Sequence, residues 1–257
     1  MEKPGISVDP AARRSSLEAE TLRRECNLRL MDQASKSSSI TRDRDMSQLP
    51  RGRHSLTRAE VLGSQRGRML RAVAVSVSEK GYKDTVVEDI VRGAGVSRKT
   101  FYEHFDDVHD CFQQGYSDFA DVLIQEITDA FVAAEPTGLN QLRACFVAMF
   151  KFLSEEPELS RAYWLDAVAA GPECEATRQL IYSRFEQLFR MGWALLRERE
   201  PDRPEPLEGS YVAANGVSAE LQIQALLSSE PVDIEAAAEE ALTFSVAVLV
   251  AEPLESD

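Results

Sequence analysis

The residues best equipped for chemistry in this 257-residue chain lie between Thr85 and Phe105, in the stretch TVVEDIVRGAGVSRKTFYEHF. Within it, Ser97, Arg98, Lys99, Thr100, Tyr102 and His104 bring two cations, hydroxyls and an imidazole to one short segment. Such groups suit phosphate oxygens and the edges of bases in a major groove. Val96, Phe101 and Phe105 interrupt the polar set at spacings that pack them inward, against Ile90 and the helix ending near Val77. The cations and hydroxyls are then left facing outward.

Two short helices must position this set. Val87, Ile90, Val91 and Ala94 recur at helical spacing, and Thr85-Val-Val-Glu88 in front of them reads as a capping box. Gly95 permits the backbone conformation of a sharp turn, and Ser97 is the expected cap of the second helix. Together they form a helix-turn-helix. A helix precedes the pair, opened by a capping box at Thr57-Arg-Ala-Glu60, carrying Leu70, Val73, Ala74 and Val77 on one face, and stopped at Gly81. Asp106 and Asp107 open a long helix whose apolar positions include Phe112, Tyr116, Phe119, Leu123 and Ile127. Helical patterns continue over 138–154, 158–170, 173–199, 208–228 and 233–251, broken at Glu135-Pro-Thr-Gly, Glu156-Pro, Gly171-Pro and the loop from Pro201 to Pro206. There is no sustained strand-like alternation. The expected fold class is all-α: an N-terminal three-helix helix-turn-helix head on a C-terminal helical bundle.

Charge follows the same division. The chain totals −14, yet residues 51–100 hold 11 Lys and Arg against 5 Asp and Glu, a net +6, whereas residues 101–257 hold 9 against 30, a net −21. A compact basic unit can engage phosphates while an acidic remainder discourages non-specific adhesion. Residues 1–50, rich in Ser and Arg with few large apolar side chains, read as a disordered tail, and Met46 is a candidate natural start. The first thirty residues lack the apolar stretch of a signal peptide, and no apolar run reaches the roughly 20 residues of a membrane span. Cysteines 26, 111, 145 and 174 form no CxxC pair, which fits a reducing cytoplasm.

Glu79-Lys-Gly-Tyr82, Thr85 opening the second helix, Ala94-Gly-Val-Ser97 and Thr100-Phe-Tyr-Glu-His-Phe105 resemble the tetracycline-repressor (TetR) family of bacterial regulators, over about Arg68 to Phe112. The resemblance implies a homodimer on a double-stranded, pseudo-palindromic DNA operator, with Thr85, Tyr102 and His104 on the phosphate backbone. Ser97 belongs to the same DNA-facing set, and Arg98, Lys99 and Thr100 would face base edges. It implies domains of 51–108, a DNA-binding head with a basic arm at Arg51-Gly-Arg-His-Ser-Leu56, and 109–257, a ligand-binding and dimerisation body. An unidentified small-molecule inducer would sit among Phe146, Phe150, Trp164, Phe185, Phe189 and Glu220. The last two helices would pair with a second copy through Val217, Leu221, Gln224 and Leu227 in one and Ala241, Phe244, Val248 and Leu249 in the other, with the small residues from Ala236 to Ala241 allowing close approach. In relatives a lysine commonly follows the recognition helix; here Val108 stands there, so one phosphate contact is missing.

Other readings compete on particular residues. Glu103, His104, Asp106, Asp107, His109, Asp110 and Cys111 are a dense set of metal-ligand types, but the two histidines are five apart and off a shared helix face, and acids at a helix start answer its dipole. No metal or other cofactor is therefore expected. Cys111 and Cys145 sit among apolar neighbours and read as core. No catalytic triad, phosphate-cradling loop or paired carboxylates stand out, so an enzyme has no identifiable seat. An interaction protein that keeps this fold without DNA binding is the remaining alternative, motivated by Val108 and the acids around it.

Overall fold

The computed structural model describes residues 58–251, with side chains from Gln65 onward. The expected tail, the arm at 51–56, the Thr57 cap and Met46 lie outside the described residues. The described residues are helical, without strands: α1 (Arg58–Lys80), α2 (Val87–Ala94), α3 (Arg98–Tyr102), α4 (Val108–Ala133), α5 (Leu139–Glu155), α6 (Pro157–Arg161), α7 (Pro172–Arg199), α8 (Ser210–Leu227) and α9 (Ile234–Leu249). No helix among them is long and apolar enough to cross a membrane.

The apolar periods set the packing. Leu70, Val73, Ala74 and Val77 of α1 are fully buried, as are Phe112, Phe119, Leu123 and Ile127 of α4. α1 packs on α2 and α4, so the small head and the long helix share one core. α4 then lies against α5 and α7, and α9 packs on α5 and α8. Polar contacts fasten α1 to the body. Arg66 donates to Asp118 and Gln114 of α4 at 2.8 and 2.9 Å, and Arg71 donates to Glu156, at the corner before α6, at 2.8 Å.

The expected helix over 158–170 is interrupted. Pro157 opens α6, whose missing amide costs nothing in the first turn, but a π turn follows at Ala162–Asp166 and a 3-10 turn at Ala167–Ala170. The wide turn carries Tyr163 into the centre of the molecule, fully buried and stacked on Tyr116 at 5.2 Å between ring centroids, with Phe112 and Phe119 also against it. A second tight contact joins α5 to α7. Gly138, with φ +80°, lies so close to Gly192 that an added Cβ would sit 2.3 Å from the Gly192 carbonyl oxygen.

Candidate nucleic-acid interface

The interface is built on a turn that only local sequence is needed to make. Gly95 ends α2 in the left-handed conformation, φ 65° and ψ 38°, and the Val96 amide returns to the Val91 carbonyl at 3.0 Å. Ser97 then caps α3: its hydroxyl accepts from the Thr100 amide at 3.0 Å and lies 2.9 Å from the Thr100 hydroxyl. Phe101 and Phe105 are buried on the inner side of this segment with ring centroids 5.6 Å apart, and Val96 packs half-buried beside the core. Two aromatic anchors thus fix which side of a five-residue helix looks out. Ser97, Arg98, Lys99 and Tyr102 are exposed, Thr100 and His104 half-buried.

The entry to α2 differs from the capping box expected at Thr85. Val86 occupies the cap position, and its amide donates to the Asp89 carboxylate at 3.0 Å. Lys80 of α1 ion-pairs with the same carboxylate, so Asp89 has two donors, which hold its pKa below the usual carboxylate range. Thr85 is buried and its hydroxyl donates to the Gly81 carbonyl at 3.0 Å, closing the turn between α1 and α2. The reason is positional: Gly81 turns the chain so that Thr85 faces inward two residues before the helix begins. At the other end, Arg68 of α1 donates to the Ala94 carbonyl at 2.9 Å and covers the C-terminus of α2.

The charged groups of the outer face are partnered. Arg98 meets Glu88 of α2 at 2.5 Å, and Lys99 lies 3.9 Å from Glu103. Hydrogen bonding of the Arg98 guanidinium to Tyr102, and then the charge of Glu88, raise the Arg98 pKa. Sequence reasoning assigned Glu88 to a capping box and missed this contact, which spans ten residues and depends on how α2 and α3 cross. Burial, and then the charge of Arg66, lower the His104 pKa, and its buried Nε2 has no hydrogen-bond partner. Behind α3, Asp107 caps α4 by accepting from the Asp110 amide at 2.8 Å, and Asp110 accepts from the Asp106 amide at 3.0 Å. These acids serve the helix start. Val108, where a lysine was looked for, packs half-buried against the core.

The body positions the remaining candidates less compactly. Phe146, Phe150, Phe185 and Phe189 are all buried, with Phe146 and Phe189 5.9 Å apart, and Trp164 stands edge-on to Phe119 at 6.1 Å. Glu220 is apart from them: it is exposed on α8 and accepts from Gln224 at 2.7 Å. Two described hollows lie apart from these side chains, Phe150 excepted. A groove of about 860 Å³ runs between α4 and α5 past Ala130, Ala144 and Ala148 to Glu156, and a pocket of about 280 Å³ between α5, α6 and the loop before α9 includes Phe150. The expected pairing stripes also divide. Ala241 and Leu249 are fully buried within the protomer, whereas Phe244 and Leu227 are 48 and 59 % exposed; Val212 of α8, which the stripes did not include, is 64 % exposed. Burial pushes the Cys111 and Cys145 thiols well up and the Cys174 thiol to about 11, leaving them as core groups.

Comparison with known proteins agrees with this geometry. Residues 70–114 match the family model of bacterial regulatory proteins of the tetR family. Over 93 residues the chain is 31 % identical to the HTH-type transcriptional repressor KstR2 of Mycobacterium tuberculosis, an alignment covering 35 % of this chain. The chain spans 44 % of that relative's length. Among solved structures, the fatty acid degradation regulator FadR from Bacillus halodurans superposes with a TM-score of 0.61 at 15 % identity, over 71 % of this chain and 94 % of that one. FadR from Bacillus subtilis in complex with stearoyl-CoA gives 0.59 at 18 %, over 70 and 97 %. SmeT, the repressor of a Stenotrophomonas maltophilia multidrug efflux pump, gives 0.55 at 20 %, over 74 and 97 %. At these identities the structures share the fold.

Proposed function

We propose that this chain, which belongs through residues 70–114 to the tetR family of bacterial regulatory proteins, is a sequence-specific DNA-binding regulator that works as a ligand-responsive repressor in the cytoplasm. The observation that carries the reading is α3: capped by Ser97 and anchored by Phe101 and Phe105, it presents Ser97, Arg98, Lys99 and Tyr102 to solvent on one side. Arg98 and Lys99, with Thr100 behind them, read base edges; Tyr102 and His104 hold phosphates. Thr85 serves this surface from inside, by shaping the entry to α2.

The operator is a pseudo-palindrome read by a homodimer, with half-sites roughly 34–36 Å apart. The exposed Val212, Leu227 and Phe244 on α8 and α9 support a second copy as the partner of that face. Stearoyl-CoA in the Bacillus subtilis relative supports a small-molecule effector in the body. An effector among Phe146, Phe150, Trp164, Phe185 and Phe189 must open space between rings that are packed in this structure, a movement that α4 would carry to the head. Genome-wide binding followed by footprinting tests the reading, with two protected half-sites one helical turn apart as the expected result.

A second reading is an interaction module that keeps the fold without DNA binding. The carboxylate partners of both α3 cations favour it. A sequence-specific footprint dismisses it.

A further inference from the structure

The outward side of the head carries its own counter-ions. Arg98 Nη1 lies 2.5 Å from Glu88 Oε1, joining α3 to α2 across the turn, and Lys99 Nζ lies 3.9 Å from Glu103 Oε1 one turn along α3. The four side chains are 48 to 88 % exposed. Their charges cancel, so these four groups leave the surface that faces bases locally neutral, although residues 51–100 together total +6. Glu88 is exposed in the first turn of α2 and does not supply its cap. Asp89 serves the start of α2, and Glu88 stands outside the buried core.

We infer that Glu88 is a specificity-determining residue of the DNA interface, acting as the positioning partner of Arg98; this rests on the DNA-binding reading above. A guanidinium has five donors in a fixed fork, so Arg98 can keep Glu88 and still offer two N–H groups to a guanine edge. On a non-matching sequence Arg98 gains only a phosphate. To reach it, the guanidinium must leave Glu88 and expose an uncompensated carboxylate to the phosphate backbone. Glu88 thereby weakens binding to wrong DNA more than binding to the right one, which is how like-charge juxtaposition produces discrimination.

The test compares the wild-type protein, E88Q, R98Q and E88Q/R98Q on two probes by fluorescence anisotropy across a salt series. One probe is a mixed-sequence duplex; the other is a duplex enriched from a random pool by the wild-type protein. Glutamine keeps the shape of Glu88 and removes its charge. E88Q is expected to bind the mixed-sequence duplex roughly threefold to tenfold more tightly, with its salt slope steeper by about 0.9 as Arg98 takes up a phosphate. Its preference for the enriched duplex falls by about tenfold. These changes vanish in the R98Q background, while the melting temperature of E88Q stays within roughly 2 °C of wild type, as for an exposed pair. If the wild-type protein discriminates but E88Q leaves both slope and preference unchanged, or shifts them equally without Arg98, the inference is overturned and the DNA reading stands. If the wild-type protein enriches no sequence, both fall together, and the wild-type measurement alone reveals it.

Discussion

Replacing Arg71 by methionine should loosen the joint between head and body by a calculable amount. The Glu156 carboxylate that Arg71 meets at 2.8 Å is only 2 % exposed, while the arginine itself is 32 % exposed. Removing one partner of a fully buried pair costs about 3–5 kcal/mol, because the other charge is left without its counter-ion. Two features reduce that figure. The arginine end is partly solvated, and Glu156 stands at the cap position of α6, where amide dipoles favour a negative charge. About 2 kcal/mol remains, which for a chain of this size lowers the melting temperature by roughly 4–8 °C. The measurement is thermal unfolding followed by circular dichroism, on Arg71→Met and on the double variant with Glu156→Gln. Neutralising Glu156 removes the buried charge that makes the loss large, so the double variant should recover more than half of the shift. A single variant that melts within roughly 1 °C of wild type, or a double variant that is simply the sum of two losses, refutes the reasoning.

Other outcomes follow from particular contacts. A Cβ at Gly115 would meet the Tyr163 hydroxyl oxygen at 2.2 Å, so Gly115→Ala should destabilise by about 1–3 kcal/mol despite its better helix propensity. Tyr163→Phe removes an oxygen that is buried without a hydrogen-bond partner; alone it should be neutral or stabilising, and combined with Gly115→Ala it should restore most of the loss in urea unfolding. In DNA binding, Arg98→Ala should cost about 1–3 kcal/mol at one base position and relax preference there, while Tyr102→Ala should weaken all sequences alike. Equal weakening by both would erase the division between base reading and positioning. Burial and Arg66 hold the His104 pKa below its ordinary value of 6.5. The unfolded chain therefore takes up the proton first as pH falls. Stability from this group is present above pH 6.5 and is lost as pH falls from there through the lower folded value, and His104→Gln should flatten that segment of a stability–pH curve.

How much of this was legible in the sequence depended on the distance over which each interaction acts. Gly95, Ser97 and the spacing of Phe101 and Phe105 are local, and the structure shows the expected turn, cap and buried anchors. The faces of α1 and α4 were readable for the same reason, since an apolar period names its buried side wherever the partner comes from. The start of α2 was not. Thr85 and Asp89 both have the chemistry of a cap, and the choice between them turned on Lys80, brought alongside Asp89 by the packing of α1 on α2. Nor was the break after α6, where three aromatic rings of α4 meet around Tyr163 of the π turn.

The sequence by itself determined the all-helical class, the turn between α2 and α3 and the cations carried on α3, because short-range capping and period dictate them. Tertiary structure alone decided what Arg98 faces. Glu88 and Arg98 are ten residues apart and meet only because α2 and α3 cross at the turn. The same holds on α9, where Ala241 is buried and Phe244, one turn along the same stripe, is exposed: only the packing on α5 and α8 decides where that stripe leaves the core.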